Sequence, residues 1–252
     1  MRGPIRMDPS VASGVRAGTM FRTAIRTLRL ALSLAPVALA AQVTTADEGT
    51  FTVTREGARI GRDEFRIMKQ PVAGGVEYVA RGLGAYGDRR ITAALQTDAA
   101  GSPLRYQVDV KNGVENEARL TAQIVHGRLS TQVRTARGEA ASEFATGDGS
   151  VIVDDEIYHQ YYFLPLSGRL RSGSGDLSLL VPRRNAQGAV RVSRGGSDPV
   201  TIGGQTVAAT RYVLTAAGAP ERQVWLDANG RVLKVSVPAQ GIVALRDDPP
   251  GS

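Results

Sequence analysis

Apolar and polar side chains alternate along most of the chain from Thr50 onward. Phe51 and Val53 begin the pattern, and later runs repeat it: Phe65 and Ile67, Val76 and Tyr78, Tyr106, Val108 and Val110, then Leu120, Ala122 and Ile124. A period of two places every second side chain on the same face of a β-strand. The pattern predicts an all-β fold in which one face of each strand is buried.

Glycine-containing turns separate these apolar runs. Asn112-Gly113, His126-Gly127 and Asn229-Gly230 stand between predicted strands, and Asn-Gly tolerates the positive φ angles of a type I′ hairpin. The neighbouring strands should therefore pair antiparallel. We expect one domain of about ten to twelve strands over residues 50–246. A flexible segment at 41–49 would precede it, and a disordered tail at 247–252 would follow it.

The run GLGAYG at residues 82–87 satisfies the spacing GxGxxG. A dinucleotide site needs a helix that begins inside this motif, whereas the surrounding sequence predicts hairpins. We therefore interpret the glycines as a β-bulge or a strong bend, and we expect no cofactor.

Aromatic side chains are concentrated in the segment DDEIYHQYYFLPLSG, residues 154–168. On a helix this spacing forms one apolar stripe, which comprises Ile157, Tyr158, Tyr161, Tyr162 and Leu164. Asp154 or Asp155 would cap the N-terminus of that helix, and Pro165 would end it. We expect this helix to pack into the concave side of a curved sheet.

Several strands predicted in the second half carry bulky residues on both faces, as in YVL, VWL and VLKVSV. Such strands need cover on both sides, and the predicted helix is the candidate cover. The predicted fold class is all-β with minor α content. It is a strongly curved antiparallel meander, a half-barrel or open barrel, with one short helix on the concave face.

The stretch MFRTAIRTLRLALSLAPVALAAQ, which starts at Met20, has the outline of a secretory signal peptide. A basic segment precedes an apolar run that is shorter than the roughly 20 residues of a membrane-spanning helix. Ala38-Leu39-Ala40 predicts cleavage after Ala40, so that residues 1–40 are a leader, with a mis-assigned start before Met20. We therefore predict a bacterial protein that is periplasmic or secreted, with no transmembrane segment after cleavage.

The predicted leader also carries most of the positive charge. Residues 1–40 contain six arginines and one aspartate, which leaves +2 of the formal net charge of +7 for the remainder. This balance gives no reason to expect a nucleic-acid partner. The chain has no cysteine, which excludes disulfides, thiolate metal sites and the lipidated cysteine of a bacterial lipoprotein.

The order of these elements is similar to that of a known group of bacterial proteins. A leader is followed by a meander that opens with FTVTREGARIGRDEFRI, then by SPLRYQVDVKNG, DDEIYHQYYFLPL and a closing VWLDANGRVLKVSVP. This order resembles the DUF3108-type periplasmic proteins of unknown function over residues 50–245. The chain also resembles the half-barrel envelope proteins that include the outer-membrane lipoprotein carriers, which implies hydrophobic-ligand binding.

Conventional catalytic patterns are absent from the sequence. His126 and His159 are the only histidines and no GxSxG motif occurs, so we predict no metal site and no catalytic residue. Asp155 and His159 stand four residues apart on the predicted helix, and this spacing leaves an envelope hydrolase as one alternative.

Three functions therefore remain open. The leading expectation is non-enzymatic binding or carriage of a lipid or other apolar ligand in the cell envelope. The candidate ligand contacts are Tyr158, His159, Tyr161, Tyr162 and Trp225. The alternatives are a filled β scaffold that assembles with envelope proteins, and the hydrolase.

Overall fold

The computed structural model describes residues 42–170 and 173–251, which contain seventeen β-strands and four 3-10 helices. The strands are β1 (Thr44–Arg55), β2 (Ala58–Val72), β3 (Gly75–Tyr86), β4 (Arg89–Thr97), β5 (Pro103–Asn112), β6 (Glu115–Val125), β7 (Arg128–Thr135), β8 (Gly138–Ala145), β9 (Ser150–Ile152), β10 (Ser174–Val181), β11 (Ala186–Ser197), β12 (Val200–Ile202), β13 (Gln205–Val207), β14 (Thr210–Thr215), β15 (Arg222–Leu226), β16 (Val232–Val237) and β17 (Ile242–Arg246). The 3-10 helices are Tyr158–Phe163, here called the aromatic helix, Pro165–Ser167, Pro182–Arg184 and Pro238–Gln240.

Fifteen of the strands form one curved sheet, in the order β8-β7-β6-β5-β4-β3-β2-β1-β17-β16-β15-β14-β11-β10-β9. Neighbouring strands are antiparallel except β9 and β10, which run parallel. The sheet is open, with β8 and β9 at its edges, and the first and last strands are neighbours in its middle. The predicted open antiparallel meander is confirmed. It has more strands than predicted, because three-residue strands such as β9 are too short to show a period of two.

The alternation predicted from the sequence places the core on one face of the sheet. Phe51 and Val53 in β1, and Tyr106, Val108 and Val110 in β5, are buried in a single hydrophobic cluster that includes the aromatic helix. The hairpin between β6 and β7 also follows the prediction. His126 and Gly127 form its two-residue turn, with φ angles of 49° and 75°.

The aromatic helix differs from the predicted α-helix in length and in its capping. It has six residues, begins after Ile157 and has no side-chain cap from a neighbouring residue. Asp154 and Asp155 lie before it and form ion pairs instead. Pro165 supplies no N–H and starts a second 3-10 turn, which ends at Gly168 with a φ of 70°. The segment is therefore too short for an α-helix.

The strands with two apolar faces are covered on their convex side by a hairpin rather than by the helix. β12 and β13 pair only with each other. Val200 and Ile202 of this hairpin pack with Trp225 and Leu233 in a second hydrophobic cluster. Of these strands, β16 contacts the aromatic helix, as expected, on its concave face.

The domain begins earlier in the chain than predicted. Residues from Thr44 already pair with β2, so most of the segment 41–49 is strand and not a flexible lead. At the other end, residues 247–251 have no regular secondary structure, but the Asp247 N–H donates to the carbonyl of Thr50 at 2.9 Å. The predicted leader lies outside the described residues.

Candidate functional site

The aromatic helix contributes four of the five residues predicted to contact a ligand. Tyr158, His159, Tyr161 and Tyr162 are all buried, and the helix contacts β2, β3 and β16. The hollow of the curved sheet beside this helix is therefore occupied by the helix's own side chains.

Asp63 of β2 holds the start of the aromatic helix. Its Oδ2 accepts hydrogen bonds from the backbone N–H groups of Tyr158 at 2.8 Å and His159 at 3.1 Å. The Nδ1 of His159 lies 3.0 Å from the same oxygen. Both side chains are 1% exposed. A carboxylate that is distant in sequence thus performs the capping that we expected from Asp154 or Asp155.

The imidazole of His159 fills a narrow space between an aromatic ring and a strand. It stacks on Phe65 with ring centroids 5.5 Å apart, and Phe65 stacks on Phe51 at 5.3 Å. On β3, a Cβ added to Gly82 would lie 2.2 Å from Cε1 of His159. Of the bulge or strong bend predicted at GLGAYG, the bulge is wrong, because β3 pairs with β2 and β4 without a register shift. Gly82 instead makes room for the imidazole.

The predicted pairing of His159 with Asp155 is wrong. The segment before Tyr158 is not helical, so the four-residue spacing does not bring the two side chains onto one face. His159 pairs with Asp63, and Asp155 forms ion pairs with Arg184 and with Arg222. The burial of His159 also keeps substrates from its imidazole, so this histidine is not suited to hydrolysis.

Each acidic residue of the segment 154–156 has an arginine partner. Asp154 accepts a hydrogen bond from the Tyr106 hydroxyl at 2.9 Å, and its Oδ2 lies 3.3 Å from Nε of Arg183. Asp154 is buried, and burial raises the pKa of its carboxyl above the ordinary value despite the opposing charge of Arg183. Its Oδ1 has no hydrogen-bond partner among the described residues.

The next two carboxylates lie closer to the surface. Asp155 forms its shortest ion pair with Arg184, and Glu156 forms its shortest with Arg89. Arg222 lies 3.7 Å from Asp155 Oδ1, beyond hydrogen-bonding distance. The hydroxyl of Tyr161 is next to Arg222, and burial raises the pKa of this tyrosine.

A cavity of about 550 Å³, here called the end cavity, opens beside these residues. It is lined by Arg55, Asp154, Asp155, Glu156, Tyr158, Tyr161, Arg184, Arg222, Val237, Gln240 and Ile242. Arg55 ends β1, Val237 ends β16 and Arg222 begins β15, so the cavity lies at one end of the sheet. Its volume is within the range of small-molecule sites.

Two smaller and more apolar recesses adjoin the end cavity. The β14 recess, of about 290 Å³, is lined by apolar side chains of β10, β11 and β14 and by the loop 216–220, with Arg184 and Arg222 at its border. The β6 recess, of about 280 Å³, is lined by Val108, Leu120 and Val133 among others, and it also borders Arg184.

Trp225, the fifth predicted contact, does not join this site. In β15 its neighbours Val224 and Leu226 belong to the concave core, whereas Trp225 belongs to the convex cluster under the β12–β13 hairpin. Its Nε1–H donates to Asp198 at 2.9 Å, and Nζ of Lys234 lies 4.4 Å from the ring centroid. The alternation of β15 therefore separates Trp225 from the aromatic helix.

Sequence reasoning missed Asp63 and the arginines of the end cavity. Asp63 is two residues before Phe65 and four before Ile67, so the period of two already places this carboxylate on the buried face of β2. A buried acidic position predicts a partner inside the fold. Arg55 and Arg222 stand at strand ends, where no pattern in the sequence distinguishes them from other surface arginines.

The described part of the chain contains no group of three or more histidine, aspartate or glutamate residues that could hold a metal ion. Within the same residues, no helix has the length and apolar character needed to span a membrane.

Comparisons with known proteins identify similarity to domains of unknown function. Residues 175–244 match a domain of unknown function, DUF6134, which is less than a third of the 252 residues. The DUF3108-type family suggested by the motifs is not supported by this match. No curated protein is significantly similar to the chain.

Among solved structures, the chain is similar to a beta-barrel-like protein of domain of unknown function DUF1849 from Brucella abortus. The sequence identity is 13% and the TM-score is 0.48, with 83% of this chain and 98% of that chain covered.

Proposed function

We propose that this protein is a non-catalytic binding protein of the bacterial cell envelope, which holds an amphiphilic molecule at the end of its curved sheet. The apolar part of the ligand would occupy the β14 recess, and its polar part would lie in the end cavity. The observation that carries the proposal is the adjacency of these two spaces, since Arg184 and Arg222 line both.

The architecture of the core supports a site at the sheet end rather than along the aromatic helix. Tyr162 and Phe163 are buried in contact with each other, with ring centroids 5.6 Å apart, and both belong to the main hydrophobic cluster. The β14 recess is small and mostly apolar, and its charged lining residues are Arg184 and Arg222. This combination is typical of small-molecule sites.

A direct test uses a fluorescent fatty acid with a twelve-carbon chain and two matched variants. Ala216 and Ala118 are both half-buried against the core, and each lines a different recess. Ala216→Phe fills the β14 recess and should lower the affinity for the probe at least tenfold. Ala118→Phe fills the β6 recess and should leave the affinity unchanged. Equal effects of the two substitutions would contradict the assignment of the β14 recess.

The location in the envelope rests on the signal peptide predicted over residues 1–40. Expression of the full chain in a Gram-negative host, followed by fractionation and N-terminal sequencing, should place a protein that starts near Ala41 in the periplasm. A cytoplasmic protein with an intact N-terminus would contradict this part of the proposal.

A second candidate is an assembly module that acts through its surface and binds no small molecule. The complete burial of the aromatic helix favours this alternative, because a filled core needs no ligand for stability. Chemical cross-linking in cells distinguishes the two candidates. A module should give one reproducible protein partner, and the binding protein should bind the fluorescent fatty acid as a purified chain.

A further inference from the structure

The guanidinium of Arg222 is largely buried and has few hydrogen-bond acceptors near it. Its side chain is 14% exposed, and its nearest carboxylate oxygen, Oδ1 of Asp155, is 3.7 Å away. The Tyr161 hydroxyl is its other polar neighbour. A guanidinium has five N–H donors in a fixed plane, and buried donors are normally satisfied. Arg222 lines the end cavity, so its remaining donors can be satisfied by a bound group.

The carboxylates of the end cavity are already neutralised by other arginines. Arg183 accompanies Asp154, Arg184 accompanies Asp155, and Arg89 accompanies Glu156. Asp155 is shared, because Arg222 forms a second and longer ion pair with it, in which the guanidinium lies 3.7 Å from Oδ1.

Arg55 is the arginine of the cavity wall that has no carboxylate partner. It forms neither an ion pair nor a side-chain hydrogen bond among residues 42–170 and 173–251. The wall carries three arginines and three carboxylates, and two of these carboxylates pair with Arg89 and Arg183 outside the wall, so the guanidinium groups of Arg55 and Arg222 are available to a ligand. A single guanidinium can bind a carboxylate or a phosphate with two parallel hydrogen bonds.

From these charges we infer that the ligand of the proposed function carries an anionic group, a carboxylate or a phosphate, which Arg222 binds with the help of Arg55. The inference rests on the proposed function, and it adds the class of the headgroup. Arg222 borders the β14 recess and not the β6 recess, so an anion bound to it is next to the opening of the β14 recess. The arginines that border the β6 recess include Arg89 and Arg183, which have carboxylate partners.

Four probes with the same twelve-carbon chain test the headgroup: dodecanoate, dodecyl phosphate, dodecanol and dodecylamine. Each displaces a neutral fluorescent probe from the purified protein at low ionic strength. We expect the two anions to bind at least tenfold more tightly than the alcohol, and the amine to bind more weakly than the alcohol. The tighter of the two anions identifies which group the arginines prefer.

Arginine variants connect the preference to the residues. Arg222→Gln should remove the advantage of the anions over dodecanol. Arg55→Gln should reduce this advantage about threefold, because the more exposed Arg55 is more strongly screened by solvent. Arg191→Gln is the control. It removes an exposed arginine of β11 whose ion pair with Asp176 is 3.9 Å long, and it should change nothing.

The outcomes distinguish a failure of the inference about the headgroup from a failure of the proposed function. If acid, phosphate, alcohol and amine bind equally well, the inference about the anion is overturned and the binding function stands. If none of the four binds, the proposed function fails and the inference fails with it. If Arg222→Gln does not fold, as judged by its circular dichroism, Arg222→Lys replaces it. That variant keeps the positive charge but lacks the planar guanidinium group, so it should retain only part of the preference for anions over dodecanol.

Discussion

Gly82→Ala tests the packing of His159 against β3. The added Cβ would lie 2.2 Å from Cε1, 2.9 Å from Nδ1 and 3.0 Å from Nε2 of the imidazole. Ordinary contact distances are about 3.5–4.0 Å, so the ring must move by more than 1 Å. Overpacking of this kind costs about 1–3 kcal/mol. Movement of the ring also weakens its hydrogen bond to the Asp63 carboxylate, a type of bond that contributes about 1.5–3 kcal/mol. We expect a total loss of about 3 kcal/mol or more.

Urea unfolding followed by far-ultraviolet circular dichroism measures this loss. Gly188→Ala is the matched control, because Gly188 also lies within a strand and a Cβ there would meet nothing within 4 Å. The control should be neutral or should gain up to about 1 kcal/mol, since alanine restricts the unfolded chain more than glycine does.

A double-mutant cycle with His159→Ala shows whether the imidazole is the cause. Without the ring, Gly82→Ala should cost little, which gives a coupling energy of about 2 kcal/mol or more. The reasoning is refuted if Gly82→Ala is within about 0.5 kcal/mol of the Gly188→Ala control. It is also refuted if the cost of Gly82→Ala stays the same when the ring is absent.

Three further predictions concern other parts of the fold. Arg246→Met should lower the free energy of unfolding by about 3–5 kcal/mol in urea titrations, because it leaves the buried carboxylate of Asp47 without its bidentate partner. The double variant with Asp47→Leu should recover much of this loss. No recovery would argue against the assignment. Burial raises the pKa of Tyr162 to about 12, so its contribution to stability is complete below pH 10 and should decline as the pH rises from 10 towards 12. In an absorbance titration at 295 nm, the Tyr162→Phe variant should lack one phenol that ionises late. Loss of a phenol that ionises early would contradict this assignment. Trp225 is the only tryptophan and lies under the β12–β13 hairpin, so its fluorescence should not change when a ligand fills the end cavity. Asp198→Ala should shift the emission, because it removes the acceptor of the indole N–H. A shift caused by a ligand would mean that the site extends to the convex face.

The strands and the turn between β6 and β7 could be predicted from the sequence because their causes are local. Alternation in β1 and β5 depends on side chains two residues apart, and the His126-Gly127 turn depends on two adjacent residues. These signals determine which face of each strand is buried. They do not determine what covers the face, and the β12–β13 hairpin over Trp225 was therefore not foreseen.

The candidate site could be predicted only in part, because its causes are distant in sequence. The aromatic segment was identified as a buried helical element, but its cap comes from Asp63, 96 residues before His159. The glycine motif in β3 was recognised, but its meaning depends on which side chain faces Gly82. The ion pairs of the end cavity join residues that are distant in sequence, and composition alone cannot show which arginine lacks a carboxylate partner.

The pairing of β1 with β17 limits when the protein can fold during synthesis. The hairpins from β1 to β8 involve successive segments and can form as the chain emerges, but the inner edge of β1 stays open until the last strand has been made. Arg246, the partner of Asp47, also arrives only then. Pairing between segments so far apart is slow and leaves strand edges exposed to wrong partners. The first half of the sheet therefore keeps one unpaired edge, on β1, until Ile242–Arg246 has been synthesised.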